Sequence, residues 1–188
     1  MIVRELPLSG AYLIEPDVYG DPRGFFMELW NENTYADHGL PLTFVQDNLS
    51  RSACGVLRGL HFQNPHPQGK LVCVLEGEVF DVLVDIRSAS DTFGEWYGTS
   101  LSSQNKRQLY VPEGFAHGFL VTSESALFYY KCTDVYAPEA EGAIRWNDPS
   151  LGIEWPTDAP TLSEKDRAAP LLAELPAHKT QFEHTPAS

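Results

Sequence analysis

Two short stretches of this 188-residue chain hold groups suited to moving a proton. One is Arg58-Gly59-Leu60-His61-Phe62-Gln63, the other Tyr129-Tyr130-Lys131. A neutral imidazole titrates near neutrality and suits proton abstraction, and a phenol can return a proton. Side chains alternate along a strand, so Gly59, His61 and Gln63 share one side, while Tyr129 and Tyr130 point opposite ways. Only one tyrosine can then share an interior with His61. Singly, His61 reads more readily as a hydrogen-bonded core histidine, and either tyrosine as a packed aromatic. A histidine and a tyrosine in one cavity would be a base and a proton donor.

A third cluster, Pro112-Glu113-Gly114-Phe115-Ala116-His117-Gly118-Phe119, sets a histidine at a strand start behind a Pro-x-Gly-x-x-His turn. That is the second half of the cupin pattern. Metal-binding cupins pair it with His-x-His and a nearby carboxylate. Here the first half reads His61-Phe62-Gln63, and Lys70 stands downstream where a carboxylate would be expected. An ammonium repels a divalent ion, so a metal-free site is the expectation. Arg23, Arg58, Lys70 and Lys165 adjoin Gly, Gln, Asn or His motifs. They read either as surface charges or as phosphate-binding cations.

Short strands must carry these groups. Residues 70–75 and 79–86 are rich in β-branched side chains and flank the turn Glu76-Gly77-Glu78. In the second run Asp81 and Asp85 fall on one face and Phe80, Val82, Val84 and Ile86 on the other, which predicts a half-buried strand. Residues 96–101, 108–111, 118–121 and 126–132 read as further strands, and 25–30 as one entered through the turn Asp21-Pro22-Arg23-Gly24. Residues 31–39 fit a short helix capped by Asn31 and stopped by Gly39. Residues 163–175 fit one or two helical turns, with Ser163 and Asp166 placed like a capping box. Many short strands without βαβ alternation predict an all-β sandwich or barrel. Residues 1–175 are expected to form one domain and 176–188 a polar, loose tail.

Composition narrows the function classes. Hydrophobic residues make up 43% and aromatics 12%, enough for a packed core. The net charge of −13 argues against a nucleic-acid polymer as partner, because duplex binding needs a basic face. Three widely spaced cysteines, Cys54, Cys73 and Cys132, without a CxxC, argue against a disulfide framework and fit a reducing cytoplasm. No apolar run is long enough to span a bilayer, and no signal-peptide layout opens the chain, so neither a membrane nor export is expected.

Taken in order, the motifs resemble a known family. They are Asp21-Pro22-Arg23-Gly24-Phe25-Phe26 with Glu28, then Phe44-Val45-Gln46-Asp47-Asn48-Leu49-Ser50, then Gly55-Val56-Leu57-Arg58-Gly59-Leu60-His61-Phe62-Gln63. Gln68-Gly69-Lys70-Leu71-Val72, Asp81-Val82-Leu83-Val84-Asp85-Ile86-Arg87 and the turn at 112–119 follow. Trp146-Asn147-Asp148-Pro149, Ile153-Glu154-Trp155 and Leu162-Ser163-Glu164-Lys165-Asp166 complete the series. From about Asp17 to Asp166 the chain resembles the dTDP-4-dehydrorhamnose 3,5-epimerases. Each motif alone is weak, and the ordered series is specific.

The resemblance implies a cupin-type jelly-roll barrel, homodimeric and cofactor-free, with short helical segments near the termini. It implies a dTDP-linked 4-keto-6-deoxy sugar as substrate. His61 would be the base, oriented by Asp166, with Tyr130 the opposing acid and Lys70 facing the sugar oxygen. Arg23, Glu28, Gln46, Asp47, Asn48, Arg58, His117, Glu141 and Lys165 fall on ligand-binding positions, and Tyr136 where an aromatic stacks on thymine. The chemistry is self-consistent: a keto group at carbon 4 acidifies the hydrogens at carbons 3 and 5 through an enolate, and no redox cofactor is required. A single-carbon epimerase, a 3,4-ketoisomerase, a metal-dependent cupin oxygenase and a non-catalytic sugar-binding cupin are the alternatives.

Overall fold

A computed structural model describes residues 1–182, which fold as two antiparallel sheets laid face to face beside a small hairpin. Across the first sheet run β1 (Ile2–Glu5), β2 (Tyr12–Glu15), β10 (Gln108–Val111), β7 (Lys70–Glu76), β12 (Ser125–Cys132) and β5 (Gln46–Ala53). Across the second run β13 (Glu141–Ala143), β6 (Leu57–Gln63), β11 (Phe115–Val121), β8 (Glu78–Asp85) and β9 (Trp96–Ser102). The hairpin is β3 (Val18–Asp21) with β4 (Gly24–Met27). From β9 onward the chain passes to and fro between the sheets: β10 lies in the first, β11 in the second, β12 in the first. This is the jelly-roll layering expected for the chain.

The main core lies between the sheets. Val72, Val74, Leu109 and Phe128 meet Val79, Leu83, Phe115 and Phe119 there. Phe119 stacks on Phe128 with ring centroids 4.1 Å apart. Fully burying one such side chain stabilises by about 1.5–3 kcal/mol. Two further clusters cover the outer faces. One gathers Leu60, Phe62, Val82, Val84 and Ile86 under residues contributed by the C-terminal third of the chain, among them Ile144, Leu151 and Leu172. The other holds Ile14 and Leu71 beneath Tyr35 and Leu40.

This double cover changes the reading of β8. Its period-two pattern is real, but the strand is buried on both faces rather than half-buried. Residues from 144 onward shield the apolar face, and the aspartates point inward. Asp81 pairs with His117, and Asp85 accepts from Arg87, Ser90 and Thr92. Buried carboxylates persist because each finds donors.

Helix α1 (Glu32–Asp37) begins after Asn31, whose side chain accepts from Asn33 N and Thr34 N. It is followed by Gly39 at φ +83°, a left-handed position that favours glycine. Strand β4 stops at Met27, short of the expected Trp30, whose ring packs on Tyr35 and Phe44. Helix α2 (Glu164–Arg167) is capped by Ser163 Oγ, which accepts from Asp166 N at 3.0 Å. The Asp166 carboxylate accepts from the Ser163 hydroxyl rather than from backbone, so the capping box is not reciprocal in the expected way. The segment after residue 175 also departs from expectation. Residues 176–182 are tied down: Thr180 O accepts from Ser88 N at 2.8 Å, and Phe182 packs on the outer core. The rest of the expected loose tail, 183–188, lies outside the described residues.

Candidate active site

A cavity of about 290 Å³ opens between the sheets. Gln46, Asn48, Lys70 and Tyr130 line it from the six-stranded sheet. His61, Gln63 and Glu141 line it from the five-stranded sheet, and Gln68 and Tyr136 from connecting loops. His61 and Tyr130 therefore reach the same space from opposite walls, as a base and an acid serving opposite faces of one carbon would need to.

His61 is half-buried, and its Nε2 lies 2.5 Å from Asp166 Oδ1. The chain after β13 delivers this carboxylate. Thr161 brackets the start of β6, donating to Gly55 O and accepting from Leu57 N, and α2 follows at once. Burial opposes the charge on Asp166, but hydrogen bonds from His61 and Ser163 outweigh it and hold the carboxyl below its ordinary range. An ionised acceptor at Nε2 keeps the proton there and leaves Nδ1 with the lone pair. Among the described residues Nδ1 has no hydrogen-bond partner.

Across the cavity, Tyr130 packs its ring on the main core, and its hydroxyl has no partner among the described residues. Burial raises its pKa, nearby Cys132 adds to this, and Arg58 opposes it. Tyr129 points the other way, beside Lys131, as alternation requires. Lys70 sits on β7 beside Cys132, its partner in register. Burial pushes the Lys70 ammonium below the ordinary lysine value, while Asp81, Cys132 and Glu141 favour its charge. His117 pairs with His61 in the β11–β6 register, yet it is almost fully buried, with Nε2 2.9 Å from Asp81 Oδ1. It backs the site rather than lining it.

Arg58 shares the face of His61 through a register irregularity, although it stays exposed and does not line the cavity. His117 pairs with His61 and Phe119 with Arg58, so three steps on β6 match two on β11. That turns Arg58 to the side of His61, where its Nε donates to Ser52 Oγ at 2.9 Å. Gly59 makes room for this bulge: at φ +123°, a Cβ there would stand 2.5 Å from Gly118 Cα.

Tyr136, Glu141 and Lys165 form the outer wall. Tyr136 OH donates to Glu141 Oε2 at 2.8 Å, and Lys165 forms an ion pair with the same oxygen. Burial opposes the Glu141 charge, and the Lys165 and Tyr136 hydrogen bonds more than offset it, so its pKa is lowered. Tyr136 N donates to Gln46 Oε1 at 2.8 Å, and Gln46 in turn donates to Asn48. Two further residues shape this wall. Gln63 accepts from Ala137 N and donates to Val135 O, and Gln68 donates to Asp134 O. The signal for Gln63 was its place two residues beyond His61 on the same face. Gln68 offered none.

Three expected ligand residues lie apart from this cavity. Arg23 stands at the tip of the β3–β4 hairpin, its side chain 90% exposed and paired with Asp21. Glu28 accepts from Asn31 just beyond the hairpin. Asp47 points to the outer face of β5 and pairs with Lys131 at 2.6 Å. Among the described residues no set of His, Cys, Asp and Glu is arranged to hold a metal ion.

The profile of the dTDP-4-dehydrorhamnose 3,5-epimerase family matches residues 5–174. A dTDP-4-dehydrorhamnose 3,5-epimerase from Salmonella typhimurium is 56% identical over 175 residues, covering 92% of this chain and 96% of that protein. Its counterpart from Methanothermobacter thermautotrophicus is 54% identical over 174 residues, covering 91% and 94%. A crystal structure of dTDP-6-deoxy-D-glucose-3,5-epimerase from Legionella pneumophila, in complex with dTDP-4-keto-L-rhamnose, superposes with a TM-score of 0.93 at 50% identity. That likeness covers 97% of this chain and 99% of the other. Motif order, jelly-roll layering and these likenesses agree: the chain belongs to the dTDP-4-dehydrorhamnose 3,5-epimerase family.

Proposed function

We propose that the protein converts dTDP-4-dehydro-6-deoxy-D-glucose to dTDP-4-dehydro-L-rhamnose by inverting carbons 3 and 5, a step of dTDP-L-rhamnose biosynthesis. The observation that carries this reading is His61, backed by Asp166, facing Tyr130 across one cavity with Lys70 beside them. The sugar complex of the Legionella relative supports the ligand class.

His61 Nδ1 takes the proton from the carbon beside the keto group. The electrons of the broken C–H bond form a C=C bond, and the carbonyl π pair moves to oxygen as an enolate. Lys70 stabilises that oxygen with an ammonium already in place. Tyr130 then donates its phenolic proton to the opposite face, and the carbonyl re-forms. Solvent exchange returns a proton to Tyr130 and removes one from His61, so no net proton or electron is consumed. One round inverts one carbon, and two rounds invert both. No metal or redox cofactor enters the scheme.

At the other end of the ligand, Tyr136 stacks on thymine, while Arg58 and Lys165 serve the diphosphate or sugar. Gln46, Asn48 and Glu141 complete the binding set, and His117, held by Asp81, supports it from behind. Arg23, Glu28 and Asp47 are best accounted for by a homodimer. The β3–β4 hairpin exposes Tyr19, Phe25 and Phe26, and the outer face of the six-stranded sheet exposes Val45 and Leu49. Burying this apolar surface against a second copy would bring one chain's Arg23 and Glu28 toward its partner's cavity. We assign residues 1–182 to one epimerase domain, because Thr180 and Phe182 pack back onto it. A cytoplasmic site of action fits the three free cysteines, and no helix among the described residues is long and apolar enough to cross a membrane.

Proton NMR of the product from dTDP-4-dehydro-6-deoxy-D-glucose tests the reading. Inverted configuration at both carbons is expected. Inversion at carbon 3 alone would make this a single-carbon epimerase.

A further inference from the structure

The segment that follows the family match is bound to the active-site wall. Lys179 is half-buried, and its Nζ donates to Asn64 O at 2.6 Å and Ala140 O at 3.0 Å. Asn64 reciprocates: its Nδ2 donates to the carbonyls of His178, Lys179 and Gln181 at 3.0, 3.2 and 2.9 Å. Asn64 N also donates to Ala140 O at 2.9 Å. An ammonium directed at two carbonyls that belong to different chain segments acts as a clamp between them. Charged donors make the stronger hydrogen bonds.

Both clamped residues adjoin the cavity. Asn64 follows Gln63, whose carboxamide holds Val135 O and Ala137 N on either side of Tyr136. Ala140 precedes Glu141, which accepts from the Tyr136 hydroxyl and pairs with Lys165. The wall between residues 135 and 141 crosses over through one short 3-10 turn, Pro138–Ala140, and carries only the small strand β13 at its end. Tyr136 itself is 51% exposed, so packing alone does not fix its ring.

We infer that the segment spanning residues 177–181 is a strap, and that Lys179 is a positioning residue that holds the nucleotide-binding wall of Tyr136 and Glu141 in its ligand-ready geometry. The inference rests on the functional reading above for the identity of the nucleotide. Lys179 touches neither the ligand site nor the proton-transfer groups. Its effect must therefore fall on nucleotide affinity and KM and spare kcat.

The test compares the full-length protein with Lys179→Met, which keeps the stem and removes the donor, and Lys179→Arg, which restores a cationic donor. dTDP affinity is measured by calorimetry and the epimerisation by NMR. Lys179→Met is expected to weaken dTDP binding and raise KM by about tenfold, with kcat within about twofold. Lys179→Arg is expected to recover most of that loss. In a Tyr136→Ala background, Lys179→Met should cost little more, because the wall it holds no longer grips the base. Unchanged dTDP affinity in Lys179→Met would overturn the inference. So would a parallel loss of kcat and KM that Lys179→Arg does not rescue, or full additivity with Tyr136→Ala. A wild-type protein that fails to bind dTDP would overturn the functional reading and the strap together. One that binds it equally with and without the Lys179 ammonium would overturn the strap alone.

Discussion

Asp166 Oδ1 stands 2.5 Å from His61 Nε2 and joins residues 105 positions apart in the chain. The carboxyl is further held by the Ser163 hydroxyl at 2.8 Å, so its direction is fixed from its own helix cap. This pairing selects which imidazole nitrogen can act as base.

Asp166→Asn should separate tautomer control from binding. An amide can donate to Nε2 and shift the ring proton to Nδ1, which would then have no lone pair for the substrate. We expect kcat to fall by roughly 10²–10⁴-fold at neutral pH. Affinity for dTDP should stay within about threefold, since such a binding change is small beside a general-base effect. Steady-state kinetics with calorimetry on the same preparation checks both. A kcat near wild type would remove Asp166 from the mechanism.

Asp85 is expected to contribute to acid stability. Burial opposes its charge, and hydrogen bonds from Arg87, Ser90 and Thr92 outweigh this, so its carboxyl is held below the ordinary 3.8. A depressed folded-state pKa contributes stability that is present above the unfolded value and lost as pH falls through the folded one. Asp85→Asn should cost about 3 kcal/mol near neutrality by leaving Arg87 without its partner. Below about pH 4 the wild type should lose stability faster than the variant, so their stabilities converge. Urea unfolding across that range reads the result, and curves that stay parallel down to pH 2 would contradict it.

Tyr136 is predicted to carry base preference. Tyr136→Ala should weaken dTDP binding by about tenfold, in line with roughly 1–3 kcal/mol for an aromatic–base stack. It should also narrow the gap between dTDP and other nucleoside diphosphates in competition binding. An unchanged preference would take Tyr136 out of the base site.

Much of the scaffold was legible because it follows local rules. Residues 70–75 and 79–86 announce strands by β-branched content and the turn between them, and alternation separates Tyr130 from Tyr129. What stayed hidden depends on long-range geometry. No local pattern links Asp166 to His61; only the family resemblance does. Strict alternation would turn Arg58 away from His61, and the extra β6 residue opposite β11 reverses that. The inward face of β8 reads as solvent-facing because Asp81 and Asp85 are charged, and their partners His117, Arg87, Ser90 and Thr92 come from packing and a following loop. Arg23 and Glu28 carry family-like motifs, yet the hairpin and the segment after it hold them away from this chain's own cavity.

The most direct test of the central claim is the fate of solvent deuterium in two variants incubated with substrate in heavy water. Mass spectrometry follows exchange at carbons 3 and 5, and NMR follows configuration. His61→Asn has no basic ring nitrogen, so exchange and inversion should both fall, by roughly 10²–10⁴-fold. Tyr130→Phe removes only the hydroxyl, so His61 can still remove a proton and return deuterium to the same face. Exchange should then survive better than inversion. Equal loss of exchange and inversion in folded Tyr130→Phe, or full activity in His61→Asn, would contradict the assignment of His61 as base and Tyr130 as acid.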